Sequence, residues 1–261
     1  MRKALVILSG GQDSTTCLFW AKKNFDEVAA ITFDYGQRHS LEIEAAKKVA
    51  AMAGVTVHDI LTVGPILRSS SPLVSDNVLE QYKDPYSLPG GIEKTFVPGR
   101  NMLFLTLAAN FGYSLGIPNL VTGVSGEDYG GYPDCRADFI IMCEQTLRLG
   151  FGDDPFDPFS KVKIHTPLMH LTKAQSVLLA KGLPGCWEAL AYSHTSYDGA
   201  YPPTGKDHAT LLREKGFLEA GLPDPLILRA VSEGLMPMPE TANYRYLEPG
   251  YQLEFDFGGE V

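Results

Sequence analysis

Ala4-Leu5-Val6-Ile7-Leu8-Ser9-Gly10-Gly11-Gln12-Asp13-Ser14 is the stretch that decides how this chain folds. Five apolar residues run together without alternation, as in a parallel strand covered on both faces. The run breaks at Ser9-Gly10-Gly11, where two glycines permit a tight turn and let backbone N–H groups approach a ligand unobstructed. Thr15 to Lys23 then has helical composition, with Cys17, Leu18 and Ala21 able to share a face. Strand, turn and helix N-terminus together make an anion site, because free backbone donors and the positive dipole end converge there. The hydroxyls of Ser9 and Ser14 add to it. A phosphate or pyrophosphate is the expected guest.

Two other phosphate motifs are excluded. The chain has no G-x-x-x-x-G-K-[ST] Walker loop and no G-x-G-x-x-G after this strand. What remains, Ser9-Gly10-Gly11-Gln12-Asp13-Ser14, resembles the SGGxDS loop of the PP-loop ATP pyrophosphatases. Enzymes of that group split ATP into AMP and pyrophosphate while adenylating a substrate.

Outward from the loop, the pattern repeats. Glu27 to Phe33 reads as a second strand, followed by the loop Asp34-Tyr35-Gly36-Gln37-Arg38-His39. Leu41 to Ala53 is an alanine-rich helix and Val55 to Leu61 a third strand. This β-α-β-α-β series predicts a doubly wound parallel α/β sheet, with ligands at the carboxyl ends of its strands. From Gly64 to Lys94 the pattern dissolves into turn chemistry, read either as a lid over a nucleotide or as a solvated excursion. Order returns at Val97-Pro98-Gly99-Arg100-Asn101 and the helix Met102 to Leu115. Arg100 opens that helix, an unfavourable place for a cation unless it faces an anion. A clamp on phosphate or carboxylate is the reading adopted, since Arg binds both bidentately.

Asn119 to Gly123 is the next strand. It opens into a loop holding Asp128, Tyr129, Tyr132, Asp134, Cys135 and Arg136, a mix of rings and acceptors suited to a planar polar heterocycle. Ala137 to Leu149 reads as a helix and Val162 to Thr166 as a short strand with Lys163 and His165 on one side. Helices are expected at Lys173 to Lys181 behind the N-cap Thr172, at Asp207 to Gly216 and at Leu226 to Glu233, while Trp187 to Gly205 reads as irregular. In the acidic tail, Tyr251, Leu253, Phe255 and Phe257 alternate with polar residues as in an edge strand. The organisation expected is a nucleotide-binding α/β domain over 1–170, a mostly helical region over 171–235 and a tail over 236–261.

Totals narrow the function classes. The net charge of −9 and pI near 5.1 argue against a broad nucleic-acid surface. No apolar run approaches a membrane span and no leader pattern opens the chain, so the cytoplasm is the expected compartment and no membrane partner is foreseen. The cysteines, Cys17, Cys135, Cys143 and Cys186, have no C-x-x-C pairing.

Taken together, Leu8 to Cys17, Phe33 to His39, Val97 to Asn101, Asp128 to Arg136 and Lys163-Ile164-His165-Thr166-Pro167-Leu168 resemble one branch of the PP-loop group, the QueC-like 7-cyano-7-deazaguanine synthases. The resemblance runs from the N-terminus to about residue 221. It implies an ATP-dependent ligase that adenylates 7-carboxy-7-deazaguanine, lets ammonia displace AMP, and uses a second ATP to reach the nitrile. It implies ATP contacts from Leu8, Ser9, Gly10, Gly11, Gln12, Asp13, Ser14, Phe33, Tyr35, Gln37, Arg38 and Gly123. Substrate contacts would come from Arg100, Asn101, Asp128, Tyr129, Tyr132, Asp134 and Arg136. Asp13, Ser14, Arg100 and Lys163 would serve the chemistry, with Asp13 a candidate Mg²⁺ ligand. A homodimer is implied as well.

The chain departs from the family at its zinc site. The four family cysteines, in a pattern like W-S-C-Y and C-G-K-C-x-x-C, are here Ser196, Thr204, Asp207 and Thr210. A Cys₄ zinc site needs thiolates, so no zinc is expected there. The same departure keeps a second acceptor open. Paralogues in anti-phage (CBASS-type) operons join the activated deazaguanine to a protein amine. A non-catalytic nucleotide-binding module is the third reading.

Overall fold

A computed structural model describes residues 1–37, 41–88, 92–126, 132–152, 154–197, 199–203 and 205–245. Among the described residues five strands form one sheet: β1 (Lys3–Ile7), β2 (Glu27–Asp34), β3 (His58–Thr62), β4 (Asn119–Val121) and β5 (Lys163–His165). The order is β3-β2-β1-β4-β5 and every pairing is parallel. β1 therefore has β2 on one side and β4 on the other, and the crevice at their carboxyl ends is the topological switch point of the sheet.

Helices cover both faces. They are α1 (Gln12–Asn24), α2 (Leu41–Met52), α3 (Arg100–Leu115), α4 (Ala137–Phe151), α5 (Lys173–Lys181), α6 (Cys186–Leu190), α7 (His208–Ala220), α8 (Pro225–Ser232) and α9 (Ala242–Arg245). The unbroken apolar run of β1 is explained by what it separates. Ala4 and Val6 pack into the cluster with α1, α2, α5 and α6, while Leu5 packs into the cluster with α3 and α4, and all three are fully buried. Burying a leucine of this kind stabilises the fold by roughly 1.5–3 kcal/mol. Helices α5, α6 and α7 lie against α1 or one another, so the C-terminal helices complete one face of the sheet.

Several boundaries differ from the sequence reading. α1 begins at Gln12 rather than Thr15, which puts Asp13 and Ser14 in its first turn. β3 begins at His58 rather than Val55, because the Val55 N–H still bonds the Ala50 carbonyl at 3.0 Å and finishes α2. α3 begins at Arg100, behind Gly99 in the left-handed conformation. At the start of the stretch read as irregular, and from one residue before it, Cys186–Leu190 is a short helix, four of its five residues buried. Asp207 and Asp224 are the N-caps of α7 and α8. The Gly64 to Lys94 stretch is anchored: the Tyr82 N–H donates to the Lys206 carbonyl at 2.9 Å and its hydroxyl to Glu93 at 3.0 Å. The proposed tail strand lies outside the described residues. Among them, no helix is long and apolar enough to cross a membrane.

Gly10 sets the spacing between the first turn and α2. At φ +86° it is in a region L side chains rarely adopt, and a β-carbon there would lie 2.2 Å from the Glu42 carbonyl oxygen. Gly10→Ala is expected to cost on the order of 3 kcal/mol from strain and overpacking together. Urea unfolding followed by circular dichroism measures it.

Candidate active site

The turn after β1 is held by its own serines. The Ser9 N–H donates to Ser14 Oγ at 3.2 Å, the two hydroxyls lie 3.0 Å apart, and Ser14 Oγ donates to the Gly11 carbonyl at 3.2 Å. The N-cap of α1 is Gly11, and no side chain caps the helix. Its opening N–H groups are left for a ligand, where the dipole favours negative charge. Gly123, at the end of β4, lets the neighbouring strand approach. A β-carbon there would lie 3.0 Å from the Ser14 nitrogen.

These elements line an open cleft with a cavity volume of about 200 Å³. Ser9, Gly11, Gln12, Asp13 and Ser14 form its floor, with Thr122, Gly123 and Val124 beside them. Arg100, Asn101, Phe104, Tyr132 and Cys135 form one wall, and Glu42 with His194, Thr195, Tyr197 and Ala209 the other sides. The floor carries unmet polarity. Both amide atoms of Gln12 and Oδ1 of Asp13 are buried without a hydrogen-bond partner among the described residues. Buried polar atoms of this kind are costly unless a ligand or water meets them.

Asp13 Oδ2 is committed. Lys173, nearly buried at the start of α5, donates to it at 2.7 Å. One carboxylate oxygen is thus held by a fixed cation and the other faces the site. Arg100 sits among Tyr35, Tyr197, Tyr132 and Asp134. Burial works against its charge, but those neighbours outweigh burial and raise its pKa. Burial raises Asp134, opposed by the Asn101 N–H and Arg100. Asn101 is bound to it through the backbone N–H at 3.4 Å and through Nδ2 to its carbonyl at 3.1 Å. Tyr132 is pushed up to about 12 by burial, and Phe96 packs against its ring. Burial also pushes the Glu42 carboxyl up to about 7, moderated by Arg100.

The sequence-predicted residues divide into groups. Ser9, Gly11, Gln12, Asp13, Ser14, Arg100, Asn101, Gly123 and Tyr132 meet in the cleft. Leu8, Gly10, Phe33, Tyr35 and Asp134 support it from behind. Phe33 stacks on Phe104 with ring centroids 4.5 Å apart. Gln37 folds back on its own turn, accepting from the Tyr35 N–H at 2.9 Å and donating to the Phe33 carbonyl at 3.3 Å. Lys163 is not brought to the cleft. It sits at the opposite, amino end of its strand and pairs with Glu144 at 3.3 Å. Arg136 is exposed at the N-cap of α4 and does not line the cleft either. Arg38, Asp128 and Tyr129 lie outside the described residues.

Glu42, Lys173, His194, Thr195 and Tyr197 escaped the sequence reading. Lys173 carried the same signal as Arg100, a cation in the first turn of a helix. Glu42 follows a loop at the binding edge of the sheet. The segment 194–197 had no comparable local sign.

A doubly wound parallel sheet whose first helix opens uncapped at the switch point, beside Arg100, is the architecture of an α/β protein with an anion site at the carboxyl edge of its sheet. The chain belongs to the QueC family, described as "Queuosine biosynthesis protein QueC", which matches residues 3–221. A relative from Gloeobacter violaceus named 7-cyano-7-deazaguanine synthase is 48% identical over 228 residues, 87% of this chain and 96% of its own length. One of the same name from Chromobacterium violaceum is 51% identical over 235 residues, 88% of this chain and 95% of its own. A third, from Laribacter hongkongensis, is 48% identical over 229 residues.

The Glu42 carboxyl gives a pH test. Between the unfolded value near 4.5 and the folded value of about 7, the folded chain holds the extra proton. That contribution to stability is full below 4.5 and is lost as pH rises through 7. Glu42→Gln, which cannot ionise, is expected to melt a few degrees above the parent at pH 8 and level with it at pH 4.5. Differential scanning calorimetry at the two pH values checks this.

Proposed function

We propose that this protein is an ATP-dependent ligase that converts 7-carboxy-7-deazaguanine and ammonia into 7-cyano-7-deazaguanine. The observation that carries the reading is the uncapped first turn of α1 with its unmet buried polar atoms. It is supported by family membership and by relatives sharing about half of the residues.

A carboxylate is a poor electrophile because its oxygen leaves reluctantly. In the first step a substrate carboxylate oxygen bonds to the α-phosphorus of ATP, and the bond to the departing pyrophosphate breaks. The Ser9–Ser14 turn is built to take the charge that develops on that leaving group. Lys173 fixes Asp13, and Asp13 Oδ1 is the protein oxygen suited to a phosphate-bound Mg²⁺, which would neutralise phosphate charge when present. Arg100 holds the carboxylate against the α-phosphate, so that much of the rate comes from alignment. Ammonia then bonds to the acyl carbon, AMP leaves, and one proton must be shed. Glu42, titrating near neutrality on the cleft wall, is matched to accept it. In the second round the amide oxygen is adenylated, and loss of AMP and two amide protons leaves the nitrile. Tyr132, with Asn101 and Asp134 behind it, holds the heterocycle.

Incubating the protein with ATP, Mg²⁺, carboxy-deazaguanine and ammonium is expected to yield AMP, pyrophosphate and the nitrile by mass spectrometry. Release of AMP without amide or nitrile would reject ammonia as the acceptor. Lys173→Met is expected to lower kcat by about 10²-fold or more, the scale of losing one preorganised charge at a transition state.

A further inference from the structure

The positions that match the family's zinc cysteines hold oxygen groups, and the structure shows how three of them are arranged. Asp207 is fully buried. Its Oδ1 accepts the N–H groups of Ala209 at 3.1 Å and Thr210 at 3.2 Å. Its Oδ2 accepts the hydroxyls of Ser196 at 2.9 Å and Thr210 at 2.7 Å. A carboxylate has about four lone-pair sites, and all four are used. Both hydroxyls spend their protons on the carboxylate itself. One saturated carboxylate with neutral hydroxyls is not a zinc donor set. The fourth position, Thr204, lies outside the described residues.

We propose that the Asp207 carboxylate replaces the metal as the clasp of this region, and that through it the clasp positions the ATP-binding turn. The two segments it joins both border the cleft. Ser196 lies between Thr195 and Tyr197, and Ala209 is part of the α7 end that Asp207 caps; Thr195, Tyr197 and Ala209 line the cleft. Two residues before Ser196, the His194 N–H donates to the Gly10 carbonyl at 2.8 Å. The path from the clasp to the phosphate cradle is thus one short, continuous segment. A second buried group grips the same segment from the other side. Arg213, paired with Asp224 at 2.6 Å, donates to Ser193 Oγ at 2.8 Å and to Thr195 Oγ1 at 2.9 Å. The clasp works by anionic hydrogen bonding, which is stronger than neutral pairing, and its partners are all supplied by the chain.

The inference rests on the nucleotide reading of the cleft but not on the identity of the acid or of the amine acceptor. Its test therefore uses ATP binding and metal content, with no deazaguanine present. Protein purified without chelator is expected to contain less than about a tenth of an equivalent of zinc by mass spectrometry of the elements, and to melt at the same temperature with and without chelator. One equivalent of zinc, or a melting point lowered by chelator, overturns the replacement. Ser196→Ala removes the clasp from one side while leaving the α7 cap intact. Asp207→Ser keeps a good N-cap but not the reach to Ser196. At a temperature where circular dichroism shows both variants folded, each is expected to weaken ATP binding by about fivefold or more, as measured by calorimetry. Ser196→Thr, which restores the hydroxyl, is expected to recover it. ATP affinity equal to the parent in both folded variants would reduce Asp207 to a helix cap and overturn the positioning role.

Discussion

The absence of a side chain at Gly10 is the constraint on which the rest is built. The turn after β1 must pass so close to the N-terminus of α2 that no β-carbon fits between them. Because it fits, α1 starts at the sheet's switch point with its first N–H groups pointing into the crevice. The Gly10 carbonyl is left to receive His194 from the C-terminal half of the chain. One small residue thereby ties β1, two helices and the segment at His194 to the same few ångströms.

Around that point the fold uses charge sparingly and in deliberate opposition to local preference. Arg100 and Lys173 both occupy helix first turns, where the dipole disfavours a cation. Each is also largely enclosed, at a further cost. Lys173 is offset by Asp13, and Arg100 by Asp134 with the phenols around it. Local rules are commonly broken at functional sites and compensated elsewhere. Arg100 lines the crevice itself, while Lys173 reaches it only through Asp13, from the helix layer on the other face of the sheet.

The legible part of the chain was the part governed by local pattern. The run Ala4 to Leu8 reports burial on both faces, and Ser9 to Ser14 reports a turn whose backbone is exposed to a ligand. Strand and helix alternation then fixes a parallel doubly wound sheet. Arg100 could be selected because a cation that opens a helix calls for an anion, and Tyr132 because it follows the loop at the carboxyl end of β4. Lys163 could not be rejected, because its motif says nothing about which end of a three-residue strand it occupies. Glu42, His194 and Tyr197 reach the cleft by tertiary packing. Helix α6 was hidden because five residues are too few for a periodic signal. Asp207 looked like a lost ligand in the sequence. Its four hydrogen-bond donors become apparent only when Ser196, eleven residues away, is brought beside it.

The clasp around Asp207 also has a chemical temperament. Metal-bound thiolates are oxidised by peroxide, and a fold that relies on them loosens when they are. Here the cross-link consists of a carboxylate, two alcohols and two amides, none of which climbs the sulfur oxidation ladder. The four cysteines of the chain are buried elsewhere as thiols. A cross-link of this composition needs neither zinc nor a reduced thiolate to form, whereas a sulfur-and-metal version of the same wall needs both.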